Sequence, residues 1–206
     1  MCKYRESLPQ LSDKLFLTDS GLETTLIFHE NVELPYFAAF DLLKTLEGEQ
    51  LLKKYYRQHA EIAIENKVGF VLESATWRAS SHWADLMGYS GIALSAVNQQ
   101  SIEMLAKLRE ELETSETPMV ISGCIGPRGD GYQPGDCMSI EQARQYHSEQ
   151  VKSFSDTEAD MISAITMNYV EEALGIVLAA REENMPVVIS FTVETDGHLP
   201  GGLSLK

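Results

Sequence analysis

The chain is poor in cysteine and in positive charge, and no stretch of it is apolar for long. Its cysteines are Cys2, Cys124 and Cys137, an odd number with no C-x-x-C pair. That pattern excludes a disulfide framework, fits a reducing compartment, and offers no zinc site by spacing alone. Lys and Arg number 16 against 31 Asp and Glu, a formal charge of -15. Such a surface repels a phosphate backbone, so nucleic acid is excluded as a partner. No apolar run approaches the roughly 18 residues of a membrane span. The polar start, Met1-Cys-Lys-Tyr-Arg-Glu, carries no apolar leader segment. A cytoplasmic protein with no membrane partner is the expectation.

Also missing are internal repeats, low-complexity tracts and a Pro/Gly/Ser-rich linker. With 206 residues, 44% of them hydrophobic, one globular domain over 1–206 is expected.

What is present is an alternation. Short apolar runs occur at Leu15–Asp19, Gly69–Ser74, Met119–Gly123, Met161–Ile165 and Val187–Thr192. Between the first two, Leu51, Leu52, Tyr55, Tyr56, His59, Ile62 and Ala63 recur at helical spacing. Ile102, Leu105, Ala106, Leu108 and Leu112 do the same before the third run. Ser139 and Gln142 form a capping box ahead of a helix that turns Ala143, Tyr146 and Phe154 inward. A further helix beginning after Asn168 places Ala173, Leu174, Val177 and Leu178 on its apolar side, and Pro186 ends it. The order βαβαβαβαβ predicts a parallel sheet covered by helices.

A doubly wound nucleotide-binding sheet would carry G-x-G-x-x-G after its first strand. Here that strand runs into Asp19-Ser20-Gly21-Leu22-Glu23, with one glycine. The later Gly126-Pro127-Arg128-Gly129-Asp130-Gly131 has the wrong spacing, and Pro127 lacks a donor. Polar residues fall instead at the carboxyl ends of several runs: Asp19, then Ser74 and Thr76, then Arg128 and Asp130, then Thr192 and Glu194. Convergence of strand ends is how barrel enzymes build their sites, so a barrel is favoured.

Four segments then agree, in order, with one family. Leu17-Thr-Asp-Ser-Gly-Leu-Glu-Thr-Thr-Leu26 resembles the first strand and turn of homocysteine S-methyltransferases. Thr76-Trp-Arg-Ala-Ser80 resembles their second-strand motif, and Ser122-Gly-Cys-Ile-Gly-Pro-Arg-Gly-Asp-Gly-Tyr132 their third-strand turn. Ile189-Ser-Phe-Thr-Val193 with Asp196-Gly-His-Leu-Pro200 resembles the fifth. The resemblance implies a (β/α)8 TIM barrel, here an incomplete one of about five β/α units. It implies methyl transfer to the thiol of homocysteine, forming methionine. Homocysteine and a methyl donor are the implied partners; S-methylmethionine, S-adenosylmethionine, betaine and a folate all remain open as the donor.

A thiol with an ordinary pKa of about 8.5 is a poor nucleophile while protonated, and zinc favours the thiolate. In the family three cysteines hold that zinc, one from the sixth strand and an adjacent pair from the eighth. Cys124 and Cys137 belong to the third β/α segment and do not correspond to them. The expectation is that this chain lacks the zinc ligands, is inactive alone, and associates with itself through open sheet edges.

By the same resemblance Asp19, Gly21, Thr76 and Trp77 are the substrate-binding candidates, with no catalytic or metal residue assigned. Asp19 could equally cap a helix. Gly21 serves either a positive-φ turn or close ligand approach, and Thr76 and Trp77 either line a pocket or fill core. Arg128, Asp130 and Tyr132 read as a solvated turn or as contacts to the methyl donor. The family commonly has a Glu at the end of the fourth strand, holding the homocysteine amine, where this chain has Ile165. His29, His59, His82, His147 and His198 share no metal-ligand spacing. Readings of another class are a non-catalytic amino-acid-binding or interaction half-barrel, a Cys124–Cys137–His147 metal cluster, a Cys124 nucleophile, and a different barrel enzyme using Asp19 and Glu194 as acid and base.

Overall fold

The structure, a computed structural model, describes residues 2–204. Five parallel strands, β1 (Phe16–Thr18), β2 (Gly69–Glu73), β3 (Met119–Ile125), β4 (Met161–Met167) and β5 (Val187–Phe191), lie in the order β1-β2-β3-β4-β5. This order decides the architecture. Right-handed crossovers that always add the next strand on the same side put every helix on one face. A doubly wound sheet must reverse, and this one does not. The helix-free face has only itself to pack against, so the sheet curls into half of a barrel, the fold that the polar strand ends favoured and the family resemblance implied.

The crossovers carry α1 (Leu22–Phe28) and α2 (Leu46–Asn66), then α3 (Ser81–Leu86) and α4 (Gly91–Leu112), then α5 (Ile140–Ser155), then α6 (Val170–Glu182). The long helix α2 packs on β1 and β2, α4 and α5 on β3, and α6 on β4 and β5. Short α1 and α3 follow strand ends directly and are additional to the simple alternation. Helices α2, α4 and α5 each start at a side-chain cap. The Thr45 side chain accepts from Gly48 N and that of Ser90 from Ala93 N, while Ser139 and Gln142 make the reciprocal capping box.

Register and strand alternation sort the side chains. Gly123 turns toward the helices, where Phe154 of α5 presses so close that a Cβ would meet its ring at 2.6 Å. Its neighbours Ser122 and Cys124 therefore face inward, as do their register partners Glu73 and Ser163. The Ser122 and Ser163 hydroxyls bond at 2.8 Å on that inner face. On the outer face Phe70, Leu72, Ile121, Ile162 and Ala164 are fully or almost fully buried beneath the helices.

Three side chains expected in the core are outside it. Ile62 is 51% exposed, Leu174 43% and Leu178 37%. The face α6 does bury is Glu172, Ala173, Gly175, Ile176, Ala179 and Ala180, of which the alanines and Gly175 let α5 and α6 approach closely. A Cβ on Gly175 would lie 2.4 Å from that of Ala143. Leu174 and Leu178 lie on the flank beyond this contact. On β5, Val188, the register partner of inward-facing Ser163, is also 48% exposed, on the open inner face.

Candidate functional site

A cavity of about 420 Å³ opens at the carboxyl ends of β1 to β4, on the concave side of the sheet. Asp19, Gly21, Glu23, Glu73, Trp77, Arg78, Cys124 and Ile165 contribute to its wall, with Phe37, Asp130, Tyr132 and Thr166 among the others.

Of the predicted residues, Asp19, Gly21 and Trp77 line this cavity and Thr76 does not. Asp19 leaves the end of β1, and its carboxyl is raised to about 6, chiefly by burial, opposed by the Tyr55 hydroxyl and by His59. His59 has Nε2 2.9 Å from Ser20 Oγ and Nδ1 3.0 Å from Tyr55 O, so it braces the turn from behind. Gly21 has φ -76, which any residue adopts. The positive-φ reading is corrected accordingly; a Cβ there would crowd Thr24 at 3.3 Å.

Thr76 is fully buried behind the wall. Its hydroxyl bonds Ser74 Oγ at 2.6 Å and donates to Cys124 O at 2.8 Å, while Ser74 Oγ accepts from Cys124 N at 2.9 Å. The two hydroxyls fasten the end of β2 to the end of β3. Trp77 extends the connection: its Nε1 donates to Thr166 Oγ1 at 3.0 Å. Gly126 passes under Trp77 with its N–H 3.0 Å from Trp77 O, where a Cβ would sit 2.3 Å from that oxygen. Only glycine allows this approach.

Thr166 has φ 59, in the left-handed region that a β-branched residue seldom occupies. The pairing of β4 with β5 shifts register here, between Ala164 and Met167. Such a bulge re-aims side chains at a strand end, and here Ile165 and Thr166 are both delivered to the cavity wall.

Two carboxyls and a guanidinium escaped the reading of the sequence. Glu23, on α1, is raised to about 7 by burial first, then by the charge of Asp19, with Arg78 opposing. Glu73, the last residue of β2, is also raised to about 7, by burial above all. Arg78 is 6% exposed, stacks between Trp77 and Trp83 at 4.1 and 3.8 Å, and donates to Gly129 O at 2.7 Å. Glu73 had a visible signal: it ends an apolar strand at its carboxyl end. Glu23 and Arg78 each lie within family-like segments but at positions with no motif residue.

Asp130 and Tyr132 reach the rim, and Asp130 Oδ1 accepts from Tyr132 N at 2.8 Å and Gln133 N at 3.1 Å, the bonds of a turn aspartate. Arg128 lies to one side, its backbone N–H bound by Glu172 Oε1 at 2.7 Å. Glu172 Oε1 also meets Nε2 of buried His147 at 2.9 Å. Glu194 is exposed and outside the cavity lining, which removes the Asp19–Glu194 acid–base pair. Cys137 is exposed in the loop after β3, Cys124 is buried on the inner face, and His147 is committed to Glu172, so these three do not converge. The Cys124 thiol is pushed well up by burial and by the charges of Glu73, Glu23 and Asp19. A thiol held toward its protonated form is a poor nucleophile.

The family model for homocysteine S-methyltransferase matches residues 16–206, almost the whole length over which the motifs were recognised. The chain belongs to this family. A search of curated proteins gives no match. Among solved structures, the homocysteine methyltransferase MmuM from Escherichia coli in its oxidized form superposes with a TM-score of 0.80 at 18% identity, covering 97% of this chain and 69% of that one. Its metallated form gives 0.75 at 20% identity, covering 97% and 70%. Its apo form gives 0.67 at 20%, covering 97% and 67%. At such identities the likeness concerns the fold, a partial barrel of the homocysteine methyltransferase type. No helix among the described residues is long and apolar enough to cross a membrane.

The metal that the family implies can be tested against the donors present. Among the described residues no three His, Cys, Asp or Glu side chains group so as to hold a metal ion. The cavity wall carries a single cysteine, Cys124, where such a site needs three thiolates. These residues do not fit a three-thiolate zinc site.

Proposed function

We propose that this chain binds homocysteine in the cavity at the ends of β1 to β4 and holds it for methylation at sulfur. The observation that carries the reading is the cavity itself. At about 420 Å³ it accommodates a small amino acid with room beside it for a donor, and Asp19, Gly21 and Trp77 stand on its wall. The carboxyls take the cationic end of the ligand, Gly21 lets the backbone approach, and the Trp77–Thr166 bond keeps the wall rigid. The methyl donor approaches the sulfur from the rim formed by Asp130 and Tyr132.

Residues 1–206 form the amino-acid-binding part of a homocysteine-binding domain. Ionisation of the thiol is the task zinc performs in the family, and the described residues supply no ligand set for it. The polypeptide is therefore expected to bind homocysteine without methylating it.

Calorimetry with L-homocysteine, together with a methyl-transfer assay using S-methylmethionine, S-adenosylmethionine and betaine, tests both halves. Saturable homocysteine binding that Asp19→Asn weakens by about tenfold or more is expected, with no methionine formed. A folded chain that ignores homocysteine would overturn the binding half. Stoichiometric zinc uptake, or methionine produced by the chain alone, would overturn the other.

A further inference from the structure

Three carboxyls share the cavity, and their surroundings differ. Asp19 faces the Tyr55 hydroxyl and His59, and Glu23 faces the guanidinium of Arg78. Glu73 faces no cation. The polar groups around it are the hydroxyls of Ser163 and Ser122, and the nearby charge of Asp19 is of its own sign. Its Oε2 is buried with no hydrogen-bond partner. Register places Glu73 beside Ser122 on the inner face of the sheet, and Cys124 beside Ser163 one step further on. Ile165, on the wall at the end of β4, brings no charge.

A buried carboxyl oxygen left unpaired costs free energy that folding alone gives no reason to bear. A donor arriving from the cavity, preferably cationic, would supply that partner. We propose that Glu73 is the counter-ion of the α-ammonium group of the bound amino acid, so that the amine is recognised from the end of β2. This rests on the reading that the cavity takes homocysteine, and it identifies which of the three acids reads the amine.

In the empty cavity near pH 7, Glu73 is partly protonated, with its carboxyl at about 7. An ammonium group arriving with its own proton displaces that of Glu73 to the buffer, leaving carboxylate against ammonium. Asp19 and Glu23 titrate in the same range, so the variant must show whose proton leaves.

The experiment titrates the 206-residue chain and its Glu73→Gln variant with L-homocysteine and with 4-mercaptobutanoate, the same molecule without its amine. Calorimetry near pH 7 is run in two buffers of different ionisation enthalpy. The wild type is expected to prefer homocysteine by about tenfold or more, with proton release. In Glu73→Gln, shown to be folded by its melting curve, both the preference and the release should vanish. Equal binding of the two ligands by the wild type would overturn the proposal, even if the variant does not fold. So would a preference that survives in the variant, and in either case homocysteine binding itself still stands. If the wild type binds neither ligand, the proposal and the reading beneath it both fall.

Discussion

The indole of Trp77 and the hydroxyl of Thr166 meet at 3.0 Å, joining the end of β2 to the bulged end of β4 past the end of β3. The bond holds a threonine at φ 59 and sets two walls of the cavity relative to one another. A strained residue persists only where its surroundings over-determine it, and Trp77 is part of that restraint. Trp77→Phe keeps a ring in place but removes the donor. It should cost about 1 kcal/mol of stability in urea titration and weaken homocysteine binding several-fold. Unchanged affinity would show that the bond has no part in shaping the site.

The raised carboxyls make stability depend on pH in an unusual direction. Glu73 lies at about 7 in the fold against 4.5 when free. Its folded pKa is the higher one, so its contribution is fully present below about 4.5 and lost as pH rises through about 7. Above that range the buried charge should cost on the order of 3 kcal/mol. Glu73→Gln is expected to raise the melting temperature at pH 8 and to leave it nearly unchanged at pH 5, where the native side chain is already neutral in the fold. Equal gains at both pH values would contradict the assignment.

At the opposite end of the sheet, Arg109 Nη1 donates to Asp160 Oδ2 at 2.7 Å, with both side chains almost wholly buried. The same aspartate accepts from Ile121 N at 2.9 Å and from Tyr4 N at 2.8 Å, tying the N-terminal segment to β3 and α4. Removing one member strands the other charge. Arg109→Met should therefore destabilise the chain by about 3–5 kcal/mol in urea titration, without altering the amino-acid site. A loss below about 1 kcal/mol would show that water already reaches the pair.

Gly126→Ala places a methyl group against Trp77 O, where only 2.3 Å is available. Backbone must move, at a cost of about 1–3 kcal/mol, and Trp77 should move with it. Tryptophan fluorescence reads this directly, and an unshifted spectrum with wild-type stability would rule the contact out.

Among the described residues β1 and β5 each leave an edge unpaired, and Leu174, Leu178 and Val188 are exposed nearby. Self-association that grows with concentration is expected in light scattering, and Val188→Lys should reduce it by setting a charge on the open edge. A wild-type chain that stays monomeric at every concentration would contradict this.

The alternation of apolar runs and helical periods is a local property, and the strands, the Ser139–Gln142 cap and the family motifs could be recognised from it. Asp19, Gly21 and Trp77 could be placed at the cavity wall from sequence because they sit near strand ends within motif segments. Thr76 shares its motif with Trp77, yet the bonds of its hydroxyl to Ser74 Oγ and Cys124 O hold it behind the wall. Helical spacing likewise grouped Leu174 and Leu178 with Ala173, although only contact with α5 determines which side of α6 is covered.

The order and kind of the elements, and with them the family, were determined by sequence alone, because hydrophobic periodicity and turn chemistry act between residues close along the chain. Which of three acids lacks a partner was decided only by tertiary structure. Glu23, Glu73 and Asp19 come from separate elements, and the field each one feels depends on Arg78, Tyr55, Ser122 and Ser163, brought near by the curl of the sheet. Burial and charge proximity are properties of distance in space, and distance along the chain does not encode them.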